Sequence, residues 1–189
     1  MASRTNYGSG GVINDPSRPA DRGYLTWTHP PYANTGVNLI PNAGILYLRR
    51  IRRVPPAAVT SILAYVGGGG SALTAGQCGA ALYTAAGTLI GQTADQASSW
   101  QSGGLKTMPL VGGPYQVTAG DYYVAVWWNG TTSPQLARAG TGLFTALPNA
   151  GLAAPAFDAA TANGSVTTTA PATLGAQTIA AIEFWFALA

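Results

Sequence analysis

The chain has 189 residues but only nine Lys or Arg and six Asp or Glu, for a formal net charge of +3. With 25 glycines and 13 prolines it is rich in turn formers and poor in helix-favouring Glu and Lys, so strands and loops are expected. A single cysteine and a single histidine exclude an intrachain disulfide and leave too few ligands for a Cys- or His-based zinc site.

Taken in order, residues 1–23 are polar, with Gly8, Gly10, Gly11, Pro16 and Pro19, and cannot bury enough apolar surface to fold alone. They contain no apolar segment of signal-peptide length, and no run in the chain approaches the roughly 20 apolar residues of a membrane helix. The expectation is a protein made in a cytoplasm and soluble or assembled there, with no membrane partner. The continuation "GYLTWTHPPYANTG" carries Tyr24, Trp27 and Tyr32, rings costly to leave in water, which favours an arm lying on a surface over a free tail. Residues 1–44 are therefore expected to form an extended N-terminal arm and 45–189 one β-sandwich domain.

The domain opens with "GILYLRRIRRV". As a strand it alternates Arg49, Ile51 and Arg53 with Arg50, Arg52 and Val54, placing guanidinium groups on both faces. That suits a solvated edge or a strand clamped between subunits, with Arg49, Arg50, Arg52 and Arg53 as candidate assembly contacts alongside Tyr24, Trp27 and Tyr32. Nucleic acid is not an expected partner, because the rest of the chain adds almost no positive charge. Gly67 to Gly70 are expected as a loop, potentially a mobile tip. Cys78 is expected as a small buried residue.

The stretch "ALYTAAGTLIGQTADQ" has Gly87 and Gly91 beside three threonines, but Gln92 follows Gly91, and a phosphate loop needs Gly-Lys-Ser/Thr before a helix. It is expected as a hairpin turning at Ala85 to Gly87. In "DYYVAVWW", Tyr122, Val124, Val126 and Trp128 fall on one face and Tyr123, Ala125 and Trp127 on the other, so both faces are apolar. Such a strand belongs mid-sheet, with the core on one side and a loop, arm or partner subunit on the other. Trp100, Trp127 and Trp128 are candidate ligand or intersubunit aromatics, with core packing as the alternative. "FDAATANGSVTTTAPATLGA" is expected as a long loop, functional or held by its neighbours. The sequons at Asn129 and Asn163 are expected as turns.

For chemistry the sequence offers little. His29 lies in the arm, and no Gly-x-Ser-x-Gly elbow exists to supply a nucleophile for a triad. Asp95, Asp121, Asp158 and Glu183 are the carboxylates from which a glycosidase pair could be drawn, though Asp121 at a turn, Asp158 in a loop and Glu183 in the last strand have structural roles open to them. No catalytic, cofactor or metal residue is assigned, and a non-enzymatic protein is expected.

The segments "VTSILAYV", "LTAGQCGAALYTAAGTLIGQTADQASSW", "GGLKTMPL", "VTAGDYYVAVWWNGTTSPQLAR" and "IEFWFALA" together resemble β-sandwich domains in virion proteins of tailed bacteriophages, notably those infecting actinobacteria. The resemblance covers about residues 57–189 and is carried by a strand ending in Leu-Tyr, a glycine turn, "QTADQ", a Trp and a Tyr-Tyr-Val-Ala strand. It implies an all-β, jelly-roll-like antiparallel sandwich in a virion, assembled in the host cytoplasm. The implied role is a minor tail or tail-tip protein binding host cell-wall glycan. The alternative is a capsid decoration protein docked on the head through its arm, since the chain shows no fibrous stalk. Either use implies a homotrimer contacting other virion proteins of the tail or the capsid.

Overall fold

In the computed structural model, residues 18–139 and 149–189 are described, and they form an all-β protein of antiparallel strands. The strands are β1 (Thr26–Trp27), β2 (Asn34–Leu39), β3 (Leu46–Val54), β4 (Ala57–Val59), β5 (Ser61–Gly68), β6 (Ser71–Leu73), β7 (Gly79–Thr84) and β8 (Leu89–Gln92). They continue with β9 (Gly104–Pro109), β10 (Tyr115–Val117), β11 (Gly120–Trp127), β12 (Gly130–Thr132), β13 (Gln135–Ala139), β14 (Ala159–Ala162), β15 (Thr178–Ile179) and β16 (Phe186–Leu188).

Two six-stranded sheets enclose the main core. The first runs β15-β14-β3-β11-β7-β8, and the second β1-β16-β5-β13-β2, with β9 on the other side of β5. Alternation sorts the side chains: Tyr122, Val124 and Val126 of β11 and Tyr47 and Ile51 of β3 face Ile62, Ala64 and Val66 of β5 in one apolar cluster. The hairpin turn falls where its glycine demands. Gly87 adopts φ 87° and donates its N–H to Thr84 O between β7 and β8.

The other face of the first sheet is equally apolar, and the chain covers it itself. Leu46, Leu48, Tyr83, Tyr123, Ala125, Trp127 and Ala160 of β14 are buried beneath the segments flanking β14, which contribute Phe157, Val166, Ala170 and Leu174. This cover is mostly irregular and bonded by side chains below it. Tyr83 Oη donates to Pro171 O at 2.9 Å, Tyr123 Oη to Phe157 O at 2.9 Å and Trp127 Nε1 to Thr167 O at 2.7 Å. Buried Asn149 accepts from the N–H groups of Asp158 and Ala159 and donates to Ala159 O. Each such bond stabilises by about 1 kcal/mol net, and each buried ring adds about 1.5–3 kcal/mol. The two sequon asparagines serve the same region: Asn129 Nδ2 donates to Val166 O, and Asn163 Oδ1 accepts from Gly175 N.

Several sequence expectations change here. Trp100, Trp127 and Trp128 are all buried, so none presents a ring to a ligand or a neighbouring subunit; Trp128 Nε1 donates inward to Ile40 O. Gly67 and Gly68 belong to β5, and the four glycines are packed rather than a free tip. A Cβ on Gly67 would lie 2.1 Å from Val37 Cγ1, and one on Gly69 would lie 2.0 Å from Gln101 O. The part of the expected arm from residue 24 on is paired within its own chain, β1 with β16 and β2 with β13. Residues 1–17 lie outside the described residues.

If Asn149 anchors the cover, Asn149→Ala should lower unfolding free energy by about 1–3 kcal/mol, because buried backbone groups lose their partners. The midpoint of a urea titration checks this, and chymotryptic cleavage after Phe157 should accelerate in parallel.

Candidate functional site

The second sheet also has two apolar faces, but its outer face is only partly covered. The N-terminal segment lays Trp27 against Leu63, Ala137, Trp185 and Ala187, with Tyr24 packed beside them. Tyr24 meets Trp27 and Trp185 edge to face, at centroid distances of 6.3 and 6.2 Å. The face beyond this cover is open, and a groove of about 500 Å³ lies there.

Alternation along β5 puts Tyr65 outward, in phase with Leu63, and pairing across the sheet sets Leu105 of β9 directly opposite it. Tyr65 is 46% and Leu105 50% exposed, high values for side chains on a sheet face. Ala137 lies opposite Val37 of β2, and Gly67 leaves the room that Val37 occupies. Tyr24 and Trp185 complete the apolar lining, while Arg22 and Asn34 add polar groups. This arrangement can hold a molecule with one apolar face and hydrogen-bonding edges.

The wall bearing Asn34 is fixed from behind by His29. His29 Nε2 donates to Asn34 Oδ1 at 3.0 Å, Asn34 Nδ2 donates to Pro31 O at 2.8 Å, and the His29 carbonyl accepts from Trp185 Nε1 at 3.0 Å. Burial holds the imidazole below its usual pKa, helped by the Arg49 guanidinium and opposed by the Asn34 bond and by Glu183.

The arginine cluster is engaged inside the chain. Arg50 pairs with Asp121 at 2.9 Å, and Arg52 with Asp158 at 2.6 Å and Asp121 at 3.8 Å. Arg49 points inward beside Tyr47 and Ile51, 5% exposed, with Glu183 at 3.5 Å and its Nε and Nη1 without hydrogen-bond partners. Arg53 takes φ 54° and donates its N–H to Asp121 Oδ1, leaving its side chain exposed. Of the four arginines expected at an assembly contact, Arg53 alone presents an exposed side chain without an ion pair among the described residues. Of the expected aromatic contacts Trp27 is buried, Tyr24 half-buried in the groove and Tyr32 68% exposed.

The four carboxylates are placed as structural groups. Asp95 Oδ1 accepts from Cys78 N and Ala97 N, Asp121 and Asp158 meet across Arg52, and Glu183 faces Arg49. None lines the groove. Cys78 is buried, and desolvation pushes its thiol pKa up. Among the described residues no three His, Cys, Asp or Glu side chains group to hold a metal, and no helix is long and apolar enough to cross a membrane. The groove residues Tyr65, Leu105, Val37 and Trp185 were not singled out from sequence. The available signal was Tyr65, out of phase with Ile62, Ala64 and Val66.

No protein-family model matches the chain, and no curated protein matches it.

Because Arg49 is buried with one imperfect partner, Glu183→Gln should cost roughly 1–3 kcal/mol by stranding its charge. Arg49→Met should cost less, since a buried ion pair is often replaceable by an apolar side chain. Denaturant unfolding of the two variants and the double variant checks the order.

Proposed function

We propose that this chain is a non-enzymatic structural protein of a tailed-bacteriophage virion, a minor tail or tail-tip protein that binds host-surface glycan through the outer-face groove. The observation that carries the binding role is the pairing of exposed Tyr65 and Leu105 across β5 and β9, beside Tyr24 and Trp185. Sugars offer apolar C–H faces to the rings of Tyr65 and Tyr24 and hydroxyl groups to donors and acceptors such as Arg22 and Asn34. The phage setting is supported by the resemblance described above. A homotrimer bound to neighbouring virion proteins is part of this reading. The alternative of capsid decoration loses much of its motive, since Arg49, Arg50 and Arg52 are spent on Glu183, Asp121 and Asp158.

Purified protein should bind cell-wall glycan fragments of the host. Tyr65→Ala should weaken that binding by about 3- to 10-fold, the scale of one lost aromatic contact. Leu105→Asp should weaken it as well, with the fold retained and melting temperature lowered by only a few degrees, because about half of each side chain already stands in solvent. Calorimetric or glycan-array binding provides the measurement. Undiminished binding by both variants, or none by the wild type, would overturn the groove assignment. Copy number per virion separates the two locations: a few to tens for the tail, hundreds for the head.

A further inference from the structure

We propose that His29, the only histidine of the chain, is the positioning residue of the groove, fixing its wall and floor from behind while the imidazole is neutral. The inference rests on reading the groove as the binding site and adds the group that sets its shape and its response to acid.

The geometry is convergent. Through its side chain His29 holds Asn34, which in turn holds Pro31, and through its carbonyl it holds the indole of Trp185. All three of those residues line the groove. They come from separate pieces of chain: the turn after His29, the start of β2 and the approach to β16. The residue also sits at a clasp. Thr28, its neighbour, accepts from Phe186 N and lies 3.3 Å from His29 Nδ1, and Thr28 N donates to Phe186 O. The His29 side chain therefore sits where the N-terminal segment meets the C-terminal strand and the groove begins.

Protonation puts a cation into this half-buried place. The charged groups that act on it are Arg49, from β3, and Glu183, from the segment entering β16. Arg49 is itself buried and already short of partners, so a second cation is poorly tolerated, and Glu183 is shared between the two. Desolvation is the largest cause of the lowered pKa. The sign follows from a folded value below the unfolded one of about 6.5. The stability contributed by the neutral ring is full above about pH 6.5 and is lost as pH falls from there through the lower folded value. A ligand that needs the neutral-ring wall binds with affinity falling up to about tenfold per pH unit below the folded value.

The test uses the intact protein and two readouts. In NMR titration from pH 7.5 to 4.5 the single imidazole signal should titrate below pH 6.5, with the Asn34 side-chain amide and the Trp185 indole N–H shifting at the same midpoint. Absence of that co-titration overturns the positioning role whether or not any glycan binds. For binding, an N-acetylglucosamine oligosaccharide is titrated at pH 7.5 and at one pH unit below the imidazole midpoint found by NMR into wild type, His29→Ala and His29→Gln, the last keeping an amide donor for Asn34 without a titrating ring. Wild type should lose affinity severalfold at the lower pH, His29→Gln should be flat, and His29→Ala should be weaker at both pH values. Saturating ligand should depress the imidazole pKa further. Matching pH profiles for wild type and His29→Gln would overturn the proposal. No binding by any form at either pH, with co-titration present, would count against the glycan reading alone and leave the positioning role standing.

Discussion

Both sheets of this protein carry apolar side chains on both faces, and that constraint organises everything else. A strand such as β11, with Tyr122, Val124 and Val126 on one side and Tyr123, Ala125 and Trp127 on the other, is stable only when both sides are covered. Facing the two sheets together satisfies one side of each. The outer side of the first sheet is covered by the segments flanking β14, and the outer side of the second is closed in part by Tyr24, Trp27 and Trp185. The first cover is complete. The second stops short of Tyr65 and Leu105, and the groove is the part of that face left open.

The same constraint explains how sparse charge is used. With few ionisable groups, several of those among the described residues join elements. Arg50 and Arg52 of β3 tie Asp121 of β11 and Asp158, just before β14, into one cluster at the end of the first sheet's central strands. Exposed pairs of this kind contribute little individually, about 0–1 kcal/mol, but this cluster also satisfies the Arg53 N–H at a break in strand geometry. Arg49 is different: it lies within the sandwich where desolvation works against it, so its value is in the geometry of its neighbourhood rather than in net stability.

Much of the fold was legible in the sequence because period-two alternation is a local signal. The two apolar faces of "DYYVAVWW" appear as written, and the Gly87 turn falls between β7 and β8. What was not legible depends on partners distant in sequence. The cover over the first sheet is Ala- and Thr-rich and joined largely through its own backbone carbonyls to Tyr83, Tyr123 and Trp127, so its composition resembles a free loop. Gly67 to Gly70 look like a flexible run, yet they are small because Val37, Gln101 and Thr132 approach them. The arginines at 49, 50 and 52 look like an outward contact until Asp121, Asp158 and Glu183 arrive from other strands. The groove was hidden for the same reason, since Tyr65, Leu105, Val37 and Trp185 sit on four separate segments.

That scattering has a consequence for how the site comes to exist. Thr26 pairs with Leu188 and Trp27 with Ala187, so the wall of the groove is closed by contacts spanning nearly the whole described chain. Contacts of such separation pay their loop-closure entropy before they return any stabilisation, and they form late and open early compared with a local hairpin such as β7-β8. The first sheet buries rings on both faces, against the second sheet on one and beneath its own cover on the other. The clasp between the N-terminal segment and β16 is the least locally supported part, held by short strands of two and three residues and by the bonds around Thr28 and His29. Because β16 also buries Phe186 and Leu188 in the main core, a change at that clasp is felt by the core as well as by the groove, which couples the binding surface to the stability of the fold.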